Sequence, residues 1–270
     1  MSGKTILITG STDGLGRHLA VRLGGAGARV LVHGRDRDRA EGVRAEILAA
    51  GGPEPEVLLA DLAALREVDG LAEQVRGVTD RLDVLINNAG VGFGAPGSER
   101  EFGADGYELR FAVNYLAGAR LTRQLVPLLL AAAPARVVNV ASIGQQPLDL
   151  DDLNFEHGYT GAAAYMRSKL AQIMFTFDLA EELGPAGVTV TALHPATYMD
   201  TTMVREFGGS PLSTVEQGGD AVARLLVEDV PNGGYFNGRK SARADEQAYD
   251  PEARSALRAR TADLIASALH

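Results

Sequence analysis

Tyr165 and Lys169 stand four residues apart in "YMRSK" (Tyr165 to Lys169), inside a segment with helical periodicity. That spacing places a phenol and an ammonium on one helix face. A neighbouring positive charge favours the phenolate and lowers a pKa that starts near about 10, so the pair reads as a general acid/base. Ser142, in "VNVASIG" (Val138 to Gly144), follows an apolar run, and its hydroxyl is suited to hold a substrate oxygen beside the phenol. Asn114 sits in "FAVNYLAG" (Phe111 to Gly118), within a helical pattern where asparagine is a poor former. Each residue alone has an ordinary structural explanation. As a set, they point to proton transfer at an oxygen.

A second constellation comes early, in "ITGSTDGLGRHLA" (Ile8 to Ala20). Gly10, Gly14 and Gly16 separate an apolar run from a helix-like pattern, with Ser11, Thr12, Asp13 and Leu15 completing the turn. Backbone without Cβ atoms can approach a pyrophosphate at the positive end of a helix, which is the logic of a dinucleotide-binding turn. The spacing is G-x-x-x-G-x-G rather than G-x-G-x-x-G, and tight packing is the competing explanation for the three glycines.

The elements that must carry these residues are legible as alternation. Strands are expected at Thr5 to Thr9, Val30 to His33, Val57 to Leu59, Val84 to Asn87, Val137 to Val140 and Val188 to Leu193, with helical patterns between them. This predicts a doubly wound α/β fold with a parallel sheet of about seven strands. Gln145 to Gly161 carries Asp149, Asp151, Asp152 and Glu156 and reads as a long surface connection. With 270 residues, 46% of them hydrophobic, a single domain spanning 1–270 is expected, its N-terminal half binding a cofactor and its C-terminal half carrying catalysis and substrate. The chain has no cysteine, which excludes disulfides and thiolate chemistry. A net charge of -9 argues against nucleic-acid or membrane-surface binding, no stretch approaches about 18 apolar residues, and five scattered histidines suggest no metal site. A soluble cytoplasmic protein is the expectation.

"NNAG" (Asn87 to Gly90) at the end of the fourth strand joins the motifs already quoted, and together they resemble the short-chain dehydrogenase/reductase family from Thr9 to about His194. The resemblance implies a Rossmann fold and a catalytic tetrad of Asn114, Ser142, Tyr165 and Lys169. The Asn114 backbone carbonyl would hold a water in a proton relay to Lys169, which would also bind the nicotinamide ribose. It further implies cofactor contacts from Gly10 to Gly16, from Asp61 and Leu62 at the adenine, from Asn88, Ala89 and Gly90, and from Tyr165, Lys169, Pro195 and Thr197. In "LHPATYMDTTM" (Leu193 to Met203), Ala196 stands where the family has glycine, and the following threonine is displaced to Thr201. The stretch Asp149 to Ala180 and "GGYFN" (Gly233 to Asn237) are most similar to retinol dehydrogenase-like and WW-domain oxidoreductase-like members. Such relatives imply hydride transfer between a nicotinamide and an alcohol or carbonyl.

After the second strand the chain reads His33, Gly34, Arg35, where family members using NAD usually place an acid. Arg35 is suited to pair with a 2′-phosphate, so NADP(H) is expected, with NAD(H) as the alternative. Phe93, Tyr198, Met199, Met203 and Phe207 are expected to line an apolar substrate pocket. Two other classes share these features: a cofactor-sensing regulatory protein, and a lyase or epimerase using the same Tyr/Lys pair. The helices around Tyr107 to Leu130 and Ala163 to Leu183 are rich in Leu, Ala and Phe. By resemblance they would pair with their copies in a homodimer or homotetramer, although a helix buried on two sides looks alike.

Overall fold

The computed structural model describes residues 1–95 and 97–270. Strand β1 (Thr5–Ile8) is buried at all four positions and leads through the glycine turn into helix α1 (Gly14–Gly25). Then follow β2 (Arg29–Gly34), α2 (Arg37–Ala49), β3 (Glu56–Leu59), α3 (Leu65–Val78) and β4 (Val84–Asn87). The short α4 (Leu109–Phe111) runs through a π-helical turn (Ala112–Leu116) into α5 (Ala117–Ala132), and β5 (Ala135–Val140) comes next. The second half contains α6 (Gly161–Leu183), β6 (Val188–His194), α7 (Thr202–Glu206), α8 (Val215–Val227), β7 (Tyr235–Asn237), β8 (Lys240–Ala242) and α9 (Pro251–Leu269). The sheet order is β3-β2-β1-β4-β5-β6-β7-β8. Seven strands are parallel, as expected; the eighth turns back antiparallel on β7.

Continuous apolar strands need cover on both faces, and the helices provide it. Leu19 and Leu23 of α1, Val43 and Ile47 of α2, and Val222 and Leu225 of α8 pack on one face. On the other, α3 presents Leu65, Val68, Leu71, Ala72 and Val75 at helical spacing, beside α5 and the C-terminal part of α6. The order reverses between β1 and β4, so the strand ends open a crevice where open α/β sheets bind ligands. The acidic connection before α6 differs from the expected surface loop in one respect. Leu148, Leu153 and Phe155 are buried in the core around α6, which fixes the connection beside the cleft. Among the described residues no helix is long and apolar enough to cross a membrane.

Helix α9 changes the reading of the Leu-, Ala- and Phe-rich helices. Its Leu257 joins the cluster around Tyr115, Ala119 and Met174, the Tyr115 and Thr261 hydroxyls share a hydrogen bond of 2.8 Å, and Tyr107 donates to the Leu264 carbonyl at 2.7 Å. Arg254 and Arg258 both pair with Asp178 of α6, at 3.4 and 2.6 Å. A crevice of about 440 Å³ remains between α9 and the helices, lined by Ala119, Phe175, Leu257 and Ile265 among others. Part of the surface expected to receive a second copy, around Tyr115, Met174 and Asp178, therefore packs against the chain's own C-terminal helix. Light scattering at micromolar concentration tests the expected pairing: a multiple of 28.4 kDa would support it, and a mass near 28.4 kDa would show that α9 takes the place of a copy.

His33 ties three strand ends together. Its Nδ1 accepts from the Gly10 amide at 3.1 Å, which leaves the proton on Nε2, facing the Ala60 carbonyl at 3.2 Å. Burial lowers its pKa from 6.5 to about 4. The fold thus favours neutral imidazole, a contribution complete above about pH 6.5 and lost as the pH falls to about 4, worth on the order of 3 kcal/mol. His194, also held low by burial, titrates in the same sense. Unfolding free energy measured by urea titration should therefore fall between pH 6.5 and 4, and His33→Gln should flatten about half of that slope. An unchanged slope in the variant would remove His33 as its source.

Candidate active site

The turn after β1 is locked from several sides. Gly10 has φ +63, and a Cβ there would lie 2.9 Å from the Ala89 Cα, while a Cβ on Gly16 would overlap the Gly10 carbonyl oxygen. Packing against the end of β4 therefore requires two of the three glycines, and the tight-packing explanation holds for them. Gly14, at φ +48, instead faces Thr201 across the cleft. Asn88 donates to the carbonyls of Thr9 and Gly10 at 2.9 and 3.1 Å, and the Asn88 and Ala89 amides both donate to the Thr9 hydroxyl. Thr12 packs against Gly34, and Asp13 caps α1 by accepting from the Gly14 amide at 2.7 Å.

Three residues expected at the cofactor direct their side chains into the core. Ser11 is fully buried, its hydroxyl spent on the His33 backbone at 2.8 and 3.3 Å, because the end of β2 needs partners beyond the ladder. The side chains of Leu15 and Leu62 belong to the core, 5% and 6% exposed, so a contact from either to a cofactor would come from its backbone. Asp61 is partly exposed, accepts from the Ala63 amide at 2.9 Å, and lies 3.6 Å from Arg35. It is not a helix cap, since α3 begins later, with Ala64 as its N-cap. Arg35 remains largely exposed, and Arg39, on the first turn of α2, lies 3.9 Å from Asp13. Both guanidiniums border the cleft end beside Asp13 and Asp61 without tight pairing.

At the other end of the cleft, Ser142, Tyr165, Lys169 and Asn114 come together. Lys169 Nζ donates to the Val140 carbonyl at 2.8 Å and to Gln172 Oε1 at 3.3 Å. It lies 5.8 Å from the Tyr165 ring centroid, and a Cβ on Gly90 would sit 3.6 Å from it. Burial lowers its pKa to about 7. Tyr165 keeps partial access to solvent, yet burial raises its pKa, with a hydrogen bond to Ser142 acting in the opposite direction. The expected lowering of the phenol by the ammonium is thus not produced by this chain alone. The cation is held by the end of β5 rather than by the phenol, and desolvation weakens its charge.

Asn114 explains itself through the π turn, whose wider winding interrupts the regular helix. Its Oδ1 accepts from the Val91 amide at 2.7 Å, and its Nδ2 donates to the Val91 carbonyl and to the Ser168 hydroxyl, at 3.1 and 3.0 Å. Ser168 in turn donates to the Tyr165 carbonyl at 2.7 Å. Ser142 is set by partners that sequence reading missed. The Tyr235 hydroxyl and the Gln145 amide both donate to the Ser142 carbonyl, at 2.9 and 3.0 Å. Spacing assigned no role to His33, Arg39, Tyr235 or Gln145, although His33, Tyr235 and Gln145 stood in stretches already singled out.

Aromatic rings cover the side of the cleft where the apolar pocket was expected. Phe93 meets Tyr165 edge to face at 4.5 Å and Phe207 at 5.2 Å, and Phe207 meets Tyr198 at 5.4 Å. Met203 packs against Gly92. Met199 is the exception among the expected pocket residues: its sulfur packs on Gly218, and its side chain belongs to the core between α1 and α8. Thr197 is held by His194 Nε2 at 3.0 Å, and Pro195 packs near Gly218.

Residues 4–210 match the family model described as short chain dehydrogenase. The chain is 44% identical over 208 residues to mouse retinol dehydrogenase 14, covering 72% of this chain and 61% of that protein, so it spans about three-fifths of that relative's length. Human retinol dehydrogenase 13 is 34% identical over 291 residues, covering 97% of this chain and 85% of its own. Among solved structures, the Pseudomonas aeruginosa RhlG/NADP active-site complex superposes with a TM-score of 0.71 at 27% identity, covering 88% of this chain and 95% of that one. With its motifs in one cleft and the family model matched over most of its length, the chain belongs to the short-chain dehydrogenase/reductase family.

Proposed function

We propose that this chain is an NADP(H)-dependent oxidoreductase interconverting apolar alcohols and their carbonyl counterparts. The observation that carries the reading is the meeting of Ser142, Tyr165 and buried Lys169 beside Gly90, the residue that follows the Ala89 on which the glycine turn packs. Bound in that cleft, a nicotinamide would supply or accept hydride. Tyr165 gives its hydroxyl proton to the carbonyl oxygen in reduction and takes the hydroxyl proton in oxidation. Ser142 donates a hydrogen bond that holds the same oxygen. Lys169 holds the ribose and feeds protons to Tyr165, with the Asn114 backbone as the outer part of that relay; the Asn114 side chain is already committed to Val91 and Ser168.

An apolar substrate is supported by Phe93, Tyr198, Met203 and Phe207, and by the relatives named for retinol, an apolar alcohol. NADP(H) is supported by Arg35 and Arg39 at the open end of the cleft and by the NADP named in the RhlG structure. Division into a cofactor-binding N-terminal half and a catalytic C-terminal half, and a cytoplasmic setting, complete the reading.

Two experiments test it. Tyr165→Phe keeps the ring and loses the proton, so turnover of an apolar aldehyde or ketone panel with NADPH should fall by about 100-fold or more while NADPH still binds. Turnover near that of the unaltered protein would remove Tyr165 from the chemistry, and NADPH binding without turnover of any carbonyl would point to a sensor. For the cofactor, Arg35→Ala should weaken NADPH binding about ten- to a hundredfold and NADH far less. The ratio of the two dissociation constants, read by cofactor fluorescence, separates loss of a phosphate contact from a general defect. A ratio unchanged in both Arg35→Ala and Arg39→Ala would overturn the NADP assignment.

A further inference from the structure

Arg110 and Glu108 are both fully buried, and no step described so far uses them. Arg110 lies on α4, just before the π turn of Asn114, and its guanidinium spends its donors in three directions. Nε donates to the Gly92 carbonyl at 2.9 Å; Nη1 donates to Glu108 Oε1 at 3.0 Å and to the Tyr159 hydroxyl at 2.9 Å; Nη2 donates to Glu101 Oε2 at 3.1 Å. Glu108 Oε2 accepts from the Phe111 amide at 2.9 Å, which fixes the carboxylate to the start of the helix. The group therefore joins α4, the acidic connection before α6, and the segment that carries Phe93.

The loop is pressed onto this cation. Gly94 has φ +76, and a Cβ there would lie 2.5 Å from Arg110 Nη2. Phe93, between the two anchored residues Gly92 and Gly94, places its ring edge to face on Tyr165. A buried ion pair is costly to desolvate and is retained at little net gain in stability, so its use here is better sought in geometry. A planar fork can hold a carbonyl on one edge and carboxylates on the others, which the compact ammonium of lysine cannot do.

We propose that Arg110 is a positioning residue for the substrate side of the cleft: by holding the Gly92 carbonyl it fixes Phe93 over Tyr165 and so limits which apolar carbonyls reach the phenol. This rests on the oxidoreductase reading given above. Its effect is on substrate fit, with the Tyr165, Ser142 and Lys169 groups left in place.

The test uses Arg110→Met combined with Glu108→Gln, which removes both charges together and leaves neither buried alone. Gly94→Ala, whose Cβ would press on Arg110 Nη2 and displace the loop while both charges stay present, serves as the second variant. Amide hydrogen exchange across Gly92 to Gly94 should quicken in both while exchange within α6 is unchanged. With NADPH, KM for a bulky apolar ketone should shift about tenfold, while kcat for it, and both constants for a small ketone, should stay within about twofold. Unaltered exchange together with an unaltered KM ratio would overturn the proposal. So would an equal loss of kcat for both substrates, which marks a general defect. If the unaltered chain reduced no carbonyl at all, the oxidoreductase reading would fall, and the exchange measurement would still decide whether Arg110 holds the loop.

Discussion

A parallel sheet that stops at a cleft leaves backbone groups at its strand ends with no ladder partner, and a buried unpaired group costs free energy comparable to a lost hydrogen bond. Meeting that demand is the constraint on which this molecule depends. At the end of β1 the Thr9 hydroxyl and the Asn88 amide take it up; at β2, Ser11 and His33; at β5, the Lys169 ammonium on the Val140 carbonyl. The residues that close the sheet are thus largely the ones that shape the cleft. A ligand-binding edge and a satisfied sheet edge are here one structure.

The consequence for chemistry is a division between a fixed back wall and a softer front. Behind, Asn114 holds Val91 and Ser168, Ser168 holds the Tyr165 backbone, and Tyr235 and Gln145 hold that of Ser142. These hydrogen bonds fix the backbone on which the Ser142 and Tyr165 hydroxyls are carried. In front, Phe93, Phe207 and Tyr198 touch through ring edges, contacts that are apolar and tolerant in angle. Tight hydrogen bonding is concentrated around Ser142 and Tyr165, where proton transfer is proposed, and angular tolerance on the aromatic side, where the proposed substrate would enter. Burial moves the pKa values of Lys169 and Tyr165 apart, the ammonium down to about 7 and the phenol up, so both groups are held toward their neutral forms before any ligand adds its own charge.

The sequence by itself carried the strand and helix alternation, the doubly wound order, and the four residues at the reacting end. Each of these is a local pattern: an apolar run, a spacing of four, a glycine turn. By its own chemistry Asn114 was an oddity in a helix, its place in the set of four implied by resemblance alone, and the π turn supplies the reason for the oddity. What composition and spacing could not separate was a side chain facing the cleft from one facing the core. Ser11, Leu15, Leu62 and Met199 lie in the right segments yet point inward, since the direction of a side chain at a strand end depends on what packs across from it. Likewise, apolar faces on the helices around Tyr115 and Phe175 are the same pattern whether met by a copy or by the chain's own α9. Only the tertiary structure decided these, together with the convergence of Arg110, Glu101, Glu108 and Tyr159 on one loop, because long-range partners up to 51 residues apart leave no periodic trace in the chain.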